Sequence, residues 1–171
     1  MECKPVNLDS CCTSLIICAV LKASQLKRKG LTGDFIYEVT DGEAVAGTIN
    51  GTRSTIDLGG RGFTFPRKGV LRPEFQLKSG DSLIATARQK PLFNHFKLAH
   101  AGKEWTYKAT NILAMRFGLF EGDRETGSVT AGPLLHRMQG IEADLPGELP
   151  LEVRMFLISL AIHVWSQQGG A

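Results

Sequence analysis

LPLEVRMFLISLAIHVWSQ, residues 149–167, is the stretch that decides the fold of this 171-residue chain. Pro150 suits the first turn of a helix, because the backbone N–H that proline lacks makes no intrahelical hydrogen bond there. Glu152 places a negative charge near the positive end of the helix dipole. At about 100° per residue, apolar side chains cover nearly the whole circumference of this predicted helix. Such a helix has to be enclosed, either by lipid or by the rest of its own protein.

The predicted helix is too short to cross a bilayer. Its apolar part lies between Arg154 and Gln167, whereas a membrane-spanning helix needs about 20 apolar residues. His163 also interrupts the run with an ionisable group. We therefore expect the helix to be buried as the core of its own domain.

The chain before the helix alternates short apolar strands with turn signals. Residues 35–49 have the form of a β-hairpin around the turn pair Asp41-Gly42. The same form recurs from Phe75 and from Phe117, which lie 40 and then another 42 residues along the chain. A second kind of hairpin fills the intervals, so each repeat of about 40 residues contains four strands.

The number of repeats distinguishes a barrel from a propeller. Fewer than three full copies fit in the chain, which is below the minimum for a propeller. Closing ten to twelve strands into a barrel removes the exposed edges of an open sheet, and the alternation of strand residues gives the barrel an apolar lining. We predict a mainly β protein, a closed antiparallel barrel of about twelve strands around a central hydrophobic C-terminal α-helix. The barrel domain is expected at 31–167, with its core helix at about 149–167.

Residues 1–30 form a separate N-terminal segment that adds a strand or a helix. An apolar run at 11–21 precedes the basic residues 27–29, which is the wrong order for a cleaved signal peptide. We interpret this run as a buried strand or short helix. The alternative is a membrane-touching segment in which Cys11 and Cys12 carry acyl chains and residues 27–29 meet anionic headgroups.

The composition is that of an ordinary globular protein, with 43% hydrophobic residues, 22% charged residues and a net charge of +3. This charge is far from a nucleic-acid-binding signature, so we expect no nucleic acid partner. No nucleotide-binding or hydrolase motif is present, and the cysteines and histidines lack the spacing of a metal site. We therefore predict no catalytic residues, no metal and no cofactor.

A basic cluster follows the first aromatic hairpin and is the candidate binding site. It consists of Arg61, Arg67, Lys68 and Arg72. On one face of the barrel, these side chains would form an anion site, for example for a phosphorylated headgroup. The competing interpretation is an ordinary solvated surface.

A second candidate is a polar line on the core helix, made by Glu152, Ser159 and His163. An acid and an imidazole on this line could exchange protons in an enzyme that opens into the barrel. The competing interpretation is structural, because buried polar groups need hydrogen-bond partners.

Four segments carry a resemblance to the Tubby C-terminal-like superfamily, over residues 24–165. They are FIYEVTDGEAVAGTI (35–49), FQLKSGDSLIATA (75–87), RFGLFEGDRETGSV (116–129) and LPLEVRMFLISLAIHVW (149–165). The superfamily includes the tubby proteins, the phospholipid scramblase-like proteins and the LURP-one-related family. The resemblance implies a barrel of about twelve strands around a central helix. It also implies a function tied to membrane lipids, since tubby proteins bind phosphoinositide headgroups through basic residues.

These observations predict a non-enzymatic binding or scaffold protein, cytoplasmic or peripheral at a membrane. The expected ligands are anionic lipid headgroups or other phosphorylated groups, bound weakly and reversibly. One alternative is a protein-interaction module with no small ligand, which requires an exposed apolar patch. Another is an enzyme of unknown reaction that uses the polar line of the helix.

Overall fold

The computed structural model describes residues 20–26, 35–90, 94–111, 115–132 and 140–168. These ranges contain thirteen strands and one helix. The elements in chain order are β1 (Val20–Gln25), β2 (Ile36–Asp41), β3 (Ala44–Asn50), β4 (Thr55–Leu58), β5 (Arg61–Thr64), β6 (Arg67–Lys68), β7 (Glu74–Ser79), β8 (Ser82–Gln89), β9 (His95–His100), β10 (Lys103–Ala109), β11 (Arg116–Glu121), β12 (Arg124–Ala131), β13 (Gly140–Asp144) and α1 (Leu151–Gln168).

All the strand pairs are antiparallel, and the sheet closes on itself. The order is β5-β4-β3-β2-β1-β13-β12-β11-β10-β9-β8-β7, and β5 pairs back to β7 through Thr64 and Lys78. The short strand β6 continues along the same partner, with Arg67 opposite Phe75 and Lys68 opposite Glu74. The prediction of a mainly β protein with a closed antiparallel barrel is therefore confirmed.

Glycines in the left-handed region form the tips of the three long hairpins. Gly42, Gly80 and Gly122 have φ angles of 60°, 56° and 60°. Residues with a Cβ rarely adopt this conformation, so glycine is favoured where a strand reverses within two residues. The turn signals in the sequence thus mark real reversals of the chain.

The helix α1 fills the barrel. Every residue from 155 to 161 is at most 3% exposed, and this stretch covers nearly two helical turns, so no face of the helix meets solvent there. Phe156 packs on Phe65 with ring centroids 6.1 Å apart, and Trp165 packs on Phe117 at 6.0 Å. The prediction of a central core helix is confirmed, although the helix begins at Leu151 rather than at 149.

The N-terminal segment contributes β1 to the ring, between β2 and β13. Leu21 and Ala23 on this strand point inward and are at most 1% exposed. The rest of the apolar run, at 11–19, and the basic residues 27–29 lie outside the described residues. Within the described ranges, no helix combines the length and the apolarity needed to span a membrane.

Candidate anion-binding end of the barrel

The two open ends of the barrel are built from different connections. Five tight hairpins (β2–β3, β4–β5, β7–β8, β9–β10 and β11–β12) lie at the end where the chain enters α1, and we call it the hairpin end. The opposite end surrounds the C-terminus of α1, since Trp165 contacts Phe117 and the ring of His163 lies 4.9 Å from that of Phe75. We call this the basic end, formed by residues 50–55, 66–75, 88–90, 94–97, 108–111 and 115–117.

Charge is divided unequally between these two ends. At the hairpin end, acidic residues outnumber basic ones, and this excess lies near the positive end of the helix dipole. The acidic residues there are Asp41, Glu43, Asp57, Asp81, Glu104, Glu121, Asp123, Glu125, Asp144, Glu148 and Glu152. At the basic end, the charged residues are Arg53, Arg67, Lys68, Arg72, Arg88, Lys90, Lys97, Lys108, Arg116 and one acid, Glu74. Arg116 is paired with the side chain of Glu125 on β12, so its charge is compensated.

The structure brings together three of the four residues predicted for the anion site. Arg67 and Lys68 form β6 at the basic end, Arg72 follows in the next loop, and all three are exposed. Arg61 lies in the β4–β5 hairpin opposite Leu58, at the other end of the barrel. Arg61 and Lys68 are seven positions apart in the chain, which corresponds to roughly 23 Å for an extended backbone. Arg61 therefore does not belong with the other three.

A basic depression lies on the outer surface beside the Arg72 loop. Its volume is about 420 Å³, and it is lined by Arg72, Glu74, Arg88, Gln89, Lys90 and Lys97. Strand register explains the grouping, because Arg88 on β8 stands directly opposite Glu74 on β7 and Lys97 on β9. Directly opposed like charges, such as Arg88 and Lys97, repel each other, so an anion bound between them would be favourable.

Glu74 offsets only part of this positive charge. Arg88 Nε donates to Glu74 Oε2 at 2.6 Å, and Gln76 Nε2 donates to Glu74 Oε1 at 2.6 Å. The hydrogen bond from Arg88, followed by that from Gln76, lowers the pKa of Glu74, so this carboxylate stays ionised and is already engaged. Among the described residues, Arg72, Lys90 and Lys97 have no ion-pair partner. These three side chains are available to a ligand.

Two histidines at the basic end, His95 and His163, have lowered pKa values because of burial and, in part, because of nearby cations. Burial lowers the pKa of His95, and the cations Lys90, Lys108 and Lys97 lower it further. Burial also lowers the pKa of His163, with a further contribution from Arg67. Neutral imidazoles are favoured at both positions because a protonated ring would add another cation to a partly desolvated, positive region.

The polar line on α1 does not form a single site. Glu152 and His163 are eleven residues apart, which places them about 16 Å apart along the helix axis. Ser159 is 3% exposed, and its hydroxyl donates to the Met155 carbonyl at 2.8 Å. His163 Nε2 lies 2.9 Å from Gln167 Nε2. Ser159 and His163 do share a small pocket of about 230 Å³, but their polar atoms contact other partners.

Sequence reasoning missed Arg88, Lys90 and Lys97. These residues belong to the second repeat. Arg88 lies near the end of β8, Lys90 follows that strand and Lys97 lies in β9, and only the strand register brings them next to Arg72. A usable signal was present in the repeat itself. Lys68 on β6 and Lys108 on β10 are 40 residues apart, which is one repeat, and strand ends in corresponding positions of a repeat meet at one end of a barrel.

Within the described part of the chain, no three His, Cys, Asp or Glu side chains are grouped as a metal site would require. Comparison of the chain with protein-family models, curated proteins and solved structures found no match in any of the three. A function for this protein therefore has to be inferred from the geometry and charge of the barrel.

Proposed function

We propose that this protein is a non-enzymatic binding protein that associates reversibly with anionic lipid headgroups through the basic end of its barrel. The observation that supports this proposal best is the basic depression. Arg72, Lys90 and Lys97 converge there without an ion-pair partner among the described residues, and Arg88 already neutralises Glu74. A phosphate or carboxylate headgroup would supply the charge that the protein does not.

The expected binding is weak and salt-dependent. Each Lys or Arg near an anionic membrane surface contributes about 1 kcal/mol, and this contribution decays within a Debye length. Exposed side chains such as Arg67 and Lys68 act by this long-range attraction. The acidic hairpin end is repelled by the same surface, so the barrel binds with α1 directed C-terminus first toward the membrane.

A cytoplasmic protein that visits the membrane surface fits this proposal. The resemblance to the Tubby C-terminal-like superfamily supports it as well, since several members of that group are tied to membrane lipids. We extend the proposal to membership of that superfamily, on the strength of the repeated hairpins and the enclosed C-terminal helix.

Vesicle co-sedimentation tests the proposal. The full chain is mixed with neutral phosphatidylcholine vesicles, or with vesicles that also contain phosphatidylserine or a phosphoinositide, at low and high salt. We expect binding to the anionic vesicles at low salt, and a loss of that binding as salt rises. Equal binding to neutral and anionic vesicles would refute the proposal. Competition by a soluble inositol phosphate separates headgroup chemistry from attraction to the surface as a whole.

Charge reversal at the two ends provides a matched pair of variants. The site variant combines Arg72→Glu, Lys90→Glu and Lys97→Glu. The control combines Arg61→Glu, Lys78→Glu and Lys103→Glu at the hairpin end, and so has the same net charge. We expect the site variant to lose vesicle binding and the control to keep most of it. Equal losses in both would mean that net charge, rather than the basic depression, drives the association.

A further inference from the structure

The loop between β6 and β7 exposes two large apolar side chains. Val70 is 88% exposed and Leu71 is 87% exposed, whereas the other exposed large hydrophobic residues of the described chain range from 42% to 61%. These two neighbours are the most exposed large apolar side chains of the described chain, and exposed apolar surface of this kind is typical of sites that contact a membrane or another protein.

The flanking structure holds this loop in place. Gly69 has a φ angle of 75°, and a Cβ at this position would lie 3.0 Å from the Arg72 carbonyl oxygen, so the turn requires glycine. Strand β6 pairs with β7 at the base of the loop, and the Gln89 N–H donates to the Pro73 carbonyl at 2.8 Å. Val70 and Leu71 thus project from an anchored hairpin.

The charges around the loop are complementary to an anionic membrane surface. Arg67 and Lys68 precede the apolar pair, Arg72 follows it, and Arg72 also lines the basic depression. An anionic bilayer presents a layer of negative headgroups directly above an apolar interior, and this arrangement complements a ring of cations around a protruding apolar tip.

We infer that the loop at residues 68–72 inserts Val70 and Leu71 into the outer apolar layer of an anionic bilayer, while Arg67, Lys68 and Arg72 contact the headgroups. This inference rests on the proposed function. It goes beyond that function because electrostatic binding alone leaves the barrel on the surface and predicts complete release at high salt. Insertion adds a component that salt does not screen.

Tryptophan quenching measures the insertion directly. Leu71→Trp places an indole at the tip, and Leu83→Trp places one on β8 near the hairpin end, where Leu83 is 55% exposed. The native Trp105 and Trp165 are at most 5% exposed, so the wild-type protein supplies a stable background. With anionic vesicles that contain brominated lipid, we expect a blue shift and quenching for Leu71→Trp and neither for Leu83→Trp.

Substitution of the apolar pair provides a second measurement. Combined Val70→Ser and Leu71→Ser should weaken partitioning into anionic vesicles about tenfold or more at low and at high salt, because each apolar side chain loses its transfer into lipid. Combined Val45→Ser and Leu83→Ser, near the hairpin end, should leave partitioning unchanged. Both pairs remove exposed side chains, so the folding of both variants can be checked by the same thermal melt.

The outcomes separate the two proposals. If the wild type binds anionic vesicles but Leu71→Trp is not quenched, or if the Val70/Leu71 double variant binds as the wild type does, the insertion is refuted and the electrostatic proposal stands. If the wild type binds no anionic vesicle at all, both are refuted. Quenching of Leu71→Trp together with a salt-resistant fraction that the double variant lacks would establish the insertion.

Discussion

Tyr107→Phe is expected to make this protein more stable. Tyr107 lies on β10 inside the barrel at 0% exposure, and its hydroxyl has no hydrogen-bond partner among the described residues. Its ring stacks on Phe117 with centroids 5.1 Å apart and lies 6.3 Å from the ring of Phe96. Phenylalanine keeps these aromatic contacts and removes only the buried oxygen.

The size of the effect follows from the cost of an unpaired buried polar group. Such a group costs about 1–3 kcal/mol, while removal of one oxygen leaves a small void that forfeits part of the gain. We expect a net stabilisation of about 1 kcal/mol, or a rise in Tm of about 2–4 °C for a chain of this size. Urea denaturation followed by tryptophan fluorescence measures the free energy of unfolding, because Trp105 and Trp165 are both buried.

At alkaline pH, the free energy of unfolding of Tyr107→Phe should differ from that of the wild type by a second contribution. Burial raises the pKa of Tyr107 well above its ordinary value. Above about pH 10, the unfolded chain therefore releases a proton that the folded chain keeps, and the free energy of unfolding falls as the pH rises. Tyr107→Phe removes this contribution, so its advantage over the wild type should grow above pH 10.

A loss of stability in Tyr107→Phe would refute this reasoning, since it would mean that the hydroxyl makes a favourable bond. Tyr37→Phe is the matched control. Tyr37 on β2 is also 0% exposed, but its hydroxyl is not among the buried polar atoms that lack a hydrogen-bond partner. Burial raises its pKa to about 12, so it shares the alkaline effect. We expect Tyr37→Phe to give no stabilisation near neutral pH.

Three further predictions concern the core, a close approach between strands and the effect of acid. Phe156→Ala should lower the free energy of unfolding by about 3–5 kcal/mol in urea denaturation, because the ring is 0% exposed and packs on Phe65. Gly47→Ala should cost about 1–3 kcal/mol in the same assay, since its Cβ would lie 2.2 Å from the Asp57 carbonyl oxygen; Gly62→Ala, which has open space, is the neutral control. Stability should fall as the pH drops below about 6.5. The pKa of His163 is lowered in the folded chain, so the unfolded chain binds a proton in this pH range more readily than the folded chain does. His163→Gln should flatten this part of the pH profile, and an unchanged slope would show that other groups cause it.

Much of the fold could be predicted from local patterns. The helix was expected at 149–167 and lies at Leu151–Gln168, where the Pro150 carbonyl accepts hydrogen bonds from the Val153 and Arg154 amides. Local patterns could not reveal β13. Its inward residues are Ile141 and Ala143, too few to indicate a strand, and one of its two partners, β1, lies at the other end of the chain.

The candidate site was less predictable than the fold. Arg61 was grouped with Arg67 because the two are close in sequence, but a strand carries the chain from one end of the barrel to the other. Lys97 was overlooked because it is distant in sequence from Arg72, although both line one depression. Which residues are close together in a barrel depends on the strand register, and the residues of a single hairpin do not determine its register with the neighbouring strands.

The position of α1 in chain order has a consequence for biosynthesis. All thirteen described strands precede the helix in the chain, so they leave the ribosome before the helix that they enclose. The nascent sheet therefore presents its lining, including Phe96 and Leu119, before anything is available to cover it. Exposed apolar faces and unpaired strand edges promote aggregation and attract chaperones. A stop codon or proteolytic cut ahead of Leu151 should accordingly yield an insoluble, chaperone-bound species instead of a smaller folded protein.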